Sequence, residues 1–222
     1  MDAKELEKAI EAAKSGPKRN FRQSVDLMIN FSSIDFSKPD SRLNAEVLLP
    51  KGRGKPAKTA IIAGDELVTQ AKQAAPLVIT KNEITSYGTD KQKMKKLADE
   101  FDFILCQTDL MSAVGKSMGQ VLAPRGKMPK PIPPTAVALA PLVKRLENTV
   151  VVRNRGKFLP TVHVMIGNEE MGVQDLAANV QAVIDAIMPK LPNKEGNIRS
   201  VYLKLSMGPA IRVGAPSREE KK

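Results

Sequence analysis

Lys51-Gly52-Arg53-Gly54-Lys55-Pro56 divides this sequence into two rhythms, and the fold follows from what stands on either side of it. Upstream, Ser24-Val25-Asp26-Leu27-Met28-Ile29-Asn30-Phe31 alternates, with its odd-numbered positions apolar, which predicts a half-buried strand. Asn44-Ala45-Glu46-Val47-Leu48-Leu49 reads as a second strand, closed by Pro50. The two are expected to pair as an antiparallel hairpin with a long connection through Lys38-Pro39-Asp40. Before them, Leu6, Ile10 and Ala13 recur at helical spacing, and Ser15-Gly16-Pro17 stops that helix.

Downstream the pattern becomes continuous apolar runs separated by helical segments. Thr59-Ala60-Ile61-Ile62-Ala63-Gly64, Pro76-Leu77-Val78-Ile79 and Phe101-Asp102-Phe103-Ile104-Leu105 are the runs, with helical patterns over 66–73 and 111–122. Strands buried on both faces and covered by helices read this way, so a parallel sheet is predicted. After the proline-dense 124–131 come a helix over 136–146 and the strand Thr149-Val150-Val151-Val152. Arg153-Asn154-Arg155-Gly156-Lys157 then repeats the composition of the first junction. Two crossings of one hinge are the simplest account, with Gly52, Gly54 and Gly156 as its pivots. The chain is therefore expected to be α/β: a Rossmann-like three-layer α/β domain, 57–152, inserted into an outer split α+β domain made of 1–56 and 153–222. The outer domain's second half holds the strand Thr161 to Ile166, a helix over 174–188 ended by Pro189, and the strand Arg199 to Leu205. Ser217 to Lys222 reads as a solvated tail.

With 222 residues and 42% hydrophobic content the chain can build packed cores. Thirty-five Lys and Arg against 24 Asp and Glu give a formal net charge of +11, which favours a polyanionic partner, nucleic acid first. Cys106 is the single cysteine, so an intrachain disulfide framework and a multi-cysteine zinc site are excluded and a reducing compartment fits. No apolar run approaches the length of a membrane span, and the first residues lack the apolar region of a secretion signal.

Enzyme signals are sparse. His163 is the sole histidine, and it lies in an alternating strand with no orienting partner legible beside it, so no catalytic residue is assigned. Gly52-Arg53-Gly54 starts like a dinucleotide fingerprint, but Ala57 replaces its third glycine and the loop precedes its strand; the Gly-Lys-Ser/Thr ending of a P-loop is also missing. No cofactor or metal is called for. Binding signals are better: Pro124-Arg125-Gly126-Lys127-Met128-Pro129-Lys130 presents cations on a stiffened backbone, and Ser206-Met207-Gly208-Pro209 follows a strand directly. There a hydroxyl, a soft apolar side chain and a close-approach glycine suit shape readout of RNA. Phe21 among Lys18, Arg19 and Arg22 can stack on a base, although aromatics at 4% disfavour an aromatic-platform module.

Four segments in order resemble the family of large-subunit ribosomal protein one: 20–26, 49–55, 122–129, and 199–202 with 206–209. The short N-terminus, and Ala123 where bacterial members usually carry glycine, are more similar to its archaeal branch. The resemblance implies a split outer domain that binds large-subunit rRNA and forms the mobile stalk beside the tRNA exit site. It also implies release of exit-site tRNA, repression of the protein's own mRNA, a monomer when off the ribosome, and a cytoplasmic location. Carried over by position, the RNA-facing set is Phe21, Ser24, Asp26, His163, Ser200, Ser206, Met207, Gly208 and Pro209, with Arg125 and Lys127 in a secondary RNA contact. Asp26 stands where bacterial members have glutamate, and Ser24 and Ser206 where they have threonine. The competing expectation is an α/β enzyme acting on a nucleotide or phosphosugar, with the basic loop as phosphate clamp; a further one is an architectural protein without RNA specificity.

Overall fold

The computed structural model describes residues 3–16, 19–36, 42–134, 139–154 and 159–214. Gly156, with Pro17, Lys18, Lys38 to Asp40, Ala136, Arg155, Lys157 and the tail from Ser217, lies outside the described residues. Along the chain, α1 (Ala3–Lys14), β1 (Ser24–Phe31) and β2 (Asn44–Leu48) come first. Then follow β3 (Thr59–Ala63), α2 (Val68–Ala74), β4 (Leu77–Thr80), α3 (Lys81–Thr89), α4 (Lys91–Glu100), β5 (Phe103–Gln107), α5 (Met111–Arg125), β6 (Lys130–Ile132) and α6 (Leu139–Glu147). The chain closes with β7 (Thr149–Arg153), β8 (Thr161–Asn168), α7 (Val173–Ile187), β9 (Ile198–Leu205) and β10 (Ile211–Arg212). It forms two compact units, one of residues 1–55 with 148–222 and one of residues 56–147.

The first unit is built on a four-stranded sheet in the order β10-β9-β1-β8. β1 is central, antiparallel to both β8 and β9. The alternation in β1 does what period-two patterning requires: Val25, Leu27, Ile29 and Phe31 are buried, while Ser24, Asp26, Met28 and Asn30 are half-buried on the other face. Leu6 and Ile10 of α1 and Leu176, Val180, Val183, Ile184 and Ile187 of α7 share the core with the inward residues.

The expected hairpin of β1 with β2 does not form. β2 pairs instead with β7 in a separate two-stranded sheet, Val47 opposite Val150. Ala45, Val47, Val150 and Val152 from this ribbon join the outer core, so the strand from Thr149 belongs to the outer unit rather than to the inserted one. The reason is burial: pairing with β2 places Val150 and Val152 in an apolar cluster that already contains Val25 and Leu27.

The second unit is a parallel sheet in the order β4-β3-β5-β6. Every residue of β3 and β5 is buried, as strands covered on both faces must be. Met94, Leu97, Val114, Met118 and Leu122 from α4 and α5 cover one face; Ala71, Leu139, Val143 and Leu146 from α2 and α6 cover the other. This is the three-layer α/β arrangement read from the sequence. Helix α5 runs through Pro124 rather than ending before it, and stops at Gly126, whose φ of 66° is the left-handed cap conformation.

Candidate functional site

The open face of the outer sheet carries polar side chains in a lattice set by register. Around central β1, Asp26 lies between Lys204 and Met165, Met28 between Tyr202 and His163, and Asn30 between Ser200 and Thr161. The Asn30 side-chain amide donates to the Ser200 hydroxyl at 3.0 Å, which fixes that hydroxyl in place. His163 is exposed and Ser200 half-buried. Burial holds the Asp26 carboxyl above the usual carboxylate range, opposed by Lys204 and, less, by His163.

At one end of this face the chain turns after β9, and the turn is clamped to the start of β1. The Ser206 N–H donates to the Ser24 carbonyl at 3.0 Å, and the Ser24 N–H donates to the Ser206 hydroxyl at 3.3 Å. The Met207 N–H donates to the Gln23 side-chain carbonyl at 3.2 Å. Gln23 is buried, and its side-chain amide donates to the Glu169 carboxylate at 3.2 Å. The Gly208 N–H closes the turn on the Leu205 carbonyl at 2.9 Å, and a Cβ at Gly208 would sit 3.2 Å from that of Leu205. Thus the backbone of 206–208 is held rigidly while the Met207 side chain stands 57% exposed. Phe21, just before β1, is 54% exposed, and Pro209 is exposed as well. Large apolar side chains this far out of a core, beside a fixed turn and a half-buried polar lattice, suit a partner that supplies apolar sugar or base faces together with polar groups.

The site therefore gathers Ser24, Asp26, His163, Ser200, Ser206, Met207 and Gly208 on or at the end of one sheet face. Sequence reasoning missed Gln23, Asn30, Tyr202 and Lys204. The last two were available from parity, since Tyr202 and Lys204 share the even-numbered face of β9 with Ser200; Gln23 and Asn30 required knowing which strands are neighbours.

Arg125 and Lys127 are differently placed. The Lys127 ammonium donates to the Ala98 carbonyl at 2.6 Å and to the Phe101 carbonyl at 2.8 Å, neutralising the C-terminal end of α4. Arg125 pairs with Asp99 at 3.4 Å. Both cations are engaged inside their own unit. At the first crossing, Gly52 and Gly54 have φ of 75° and 77°, the left-handed region where glycine is favoured. The buried Asn179 side chain donates to the Gly52 and Ile166 carbonyls, each at 2.8 Å, and accepts from the Lys51 N–H at 3.1 Å. Lys51 and Gly52 are thereby bound to the outer unit, and the Asn168 amide reaches the Gly54 carbonyl at 3.5 Å.

A nucleotide-processing site would be sought where β3 and β5 diverge to their crossover helices, at their C-terminal ends. There the Gly64 N–H donates to the Gln107 side-chain carbonyl at 2.8 Å, and Gln107 donates to Asp109 at 3.2 Å. Gln107 fills the crevice, and exposed Asp65, Glu66 and Asp109 make its mouth repel phosphate. Among the described residues no helix is long and apolar enough to cross a membrane.

The model of the ribosomal protein L1p/L10e family matches residues 9–209. The large ribosomal subunit protein uL1 of Methanothermococcus thermolithotrophicus is 44% identical over 96% of this chain and 99% of its own length. Those of Thermoplasma volcanium, 42% identical over 96% and 98%, and of Methanocaldococcus jannaschii, 41% identical over the whole of both chains, are similar in the same way. The resemblance read from four short segments extends over nearly the full sequence.

Proposed function

Because the chain belongs to the ribosomal protein L1p/L10e family, and is accordingly a structural component of the large ribosomal subunit rather than an enzyme, we propose that its outer unit grips a folded stretch of large-subunit rRNA through the clamped turn 206–208 and the adjoining open sheet face. The observation that carries this reading is the exposed Met207 on a backbone already fixed by Ser24 and Gln23. A preformed surface loses little entropy on docking, so hydroxyls, a glycine and one thioether can read a rigid RNA shape. Lys204 and the chain's net charge of +11 supply sequence-independent attraction to phosphate.

The same reading makes this protein the mobile stalk beside the tRNA exit site, cytoplasmic with its ribosome, aiding release of deacylated tRNA. Two compact units joined at 55–56 and 147–148, the first crossing preceded by Gly52 and Gly54 of positive φ, support a moving element; the second crossing falls before Thr149 rather than at 153–157. A face that reads shape rather than base sequence also supports binding of a similar fold in the protein's own mRNA, and hence repression of its translation. Off the ribosome it is a monomer.

Filter-binding titration with a folded stalk rRNA fragment tests the site. Met207→Asp is expected to weaken binding by roughly 2–4 kcal/mol, through a desolvated charge set against phosphate, with thermal unfolding unchanged. Unaltered affinity removes the turn from the interface. Crosslinking on intact ribosomes, mapped to nucleotides, tests the stalk and exit-tRNA placement.

A further inference from the structure

The inserted unit carries a groove of about 390 Å³ bounded by Leu77 at the start of β4, Tyr87 of α3, and α4 from Lys93 to Glu100 with Phe101 beyond it. It lies at the opposite end of the parallel strands from the crevice filled by Gln107. Leu77, Leu97 and Phe101 give it an apolar wall beside the half-buried Tyr87, and Lys93, Lys96 and Glu100 contribute the polar part of its lining. The size falls in the range of small-ligand sites, about 300–1,000 Å³.

Helix α4 is amphipathic in a particular way. Met94, Leu97 and Ala98 are buried, and Lys91, Lys93, Lys95 and Lys96 are all exposed. The neighbouring carboxylates are already engaged. Asp90 caps α4 by accepting from the Gln92 and Lys93 N–H groups, Asp99 pairs with Arg125 at 3.4 Å, and Glu100 pairs with Lys58 at 3.2 Å. Lys93 also reaches Asp90 at 3.7 Å, an exposed pair that is weak and easily exchanged. The cations of α4 therefore set the local field over an apolar, partly aromatic groove.

We propose that this groove takes one nucleotide of a single-stranded nucleic acid, its base against Tyr87 and Leu77 and its phosphates at Lys93 and Lys96. An aromatic platform with flanking cations is how unpaired bases are held without sequence preference. A duplex could meet the lysines but would leave Tyr87 and Leu77 unused, because its bases stack on one another. The site is separate from the outer sheet face and does not rest on the rRNA reading.

Fluorescence anisotropy of a labelled oligouridine hexamer titrated with the full chain tests it. Saturable binding is expected, weakened about tenfold or more near 0.1 M salt by K93E with K96E, and less salt-dependent in that variant because two phosphate contacts are gone. Tyr87→Ala is expected to weaken it roughly tenfold, and Tyr87→Phe to leave it intact, since the ring face is what stacks. Met207→Asp is expected to leave the hexamer affinity unchanged even where it abolishes binding of stalk rRNA, so the two sites fail independently. Absent binding, equal affinity in the double lysine variant, loss in Met207→Asp, or displacement of the hexamer by a polyglutamate peptide as readily as by unlabelled hexamer would each overturn the proposal.

Discussion

Lys127 and Ala98 are joined by a 2.6 Å hydrogen bond from ammonium to main-chain carbonyl, and the same ammonium reaches the Phe101 carbonyl at 2.8 Å. A residue that reads in the sequence as an exposed phosphate ligand is, in the fold, the counter-charge of a helix end. Lys127→Met is therefore expected to lower the stability of the inserted unit by about 1–2 kcal/mol, from lost charge-assisted bonds at carbonyls short of other donors. Differential scanning calorimetry reads the loss. A variant of undiminished stability but weakened rRNA binding would restore Lys127 to the RNA contact.

Asn179 is fully buried and ties three main-chain groups of the outer unit, at Lys51, Gly52 and Ile166. Asn179→Ala is expected to cost about 2–4 kcal/mol in urea denaturation, because it leaves those groups unpaired where water enters poorly. Gly54→Ala should add a smaller loss of about 1–2 kcal/mol: φ there is 77°, and a Cβ would sit 2.9 Å from the Asn168 side chain. Stability equal to the parent in both would show that the first crossing is not held by the outer unit.

Asp26 gives a pH dependence with a definite sign. Its native carboxyl binds a proton more tightly than in the unfolded chain, because burial disfavours the charged form. The stability held by the neutral form is present at pH below the ordinary carboxylate range and is lost as pH rises through the raised native value. Asp26→Asn should accordingly stabilise the protein at neutral pH, by less than about 1 kcal/mol after solvent screening, and should match the parent at low pH. If Asp26 faces RNA, the same substitution weakens rRNA binding. A gain in stability with unchanged affinity would mark the carboxylate as a burial cost with no binding role.

Much of the fold was legible because burial writes a period into the chain. Val25 to Phe31 alternates and is a half-open strand; Thr59 to Ala63 is apolar throughout and is covered on both sides. What failed was partner choice. The neighbours of β1 are β8 and β9, with Ser24 opposite Asn168 and Val25 opposite Leu205, and the β1 segment itself carries no mark of which distant strand it will meet. The same holds for the site. Ser206, Met207 and Gly208 stand together in the chain and can be read as a unit, whereas Gln23 matters only because it lies under that turn. The intramolecular role of Lys127 was hidden for a related reason: a cation in a proline-rich loop signals charge, and only the fold shows which carbonyls it meets.

The pairing of β1 with β9 also dictates an order of events during synthesis. Residues 56–147 leave the exit tunnel as a body whose strands and covering helices are all present, so that part can close while translation continues. The outer sheet cannot, because its central strand waits for partners at 161–168 and 198–205. A nascent or truncated product ending before Ile198 would hold a finished insert and a strand open along one edge, prone to join foreign strands. Only a chain elongated past Gly208 holds both neighbours of β1 and the turn that is clamped to its start.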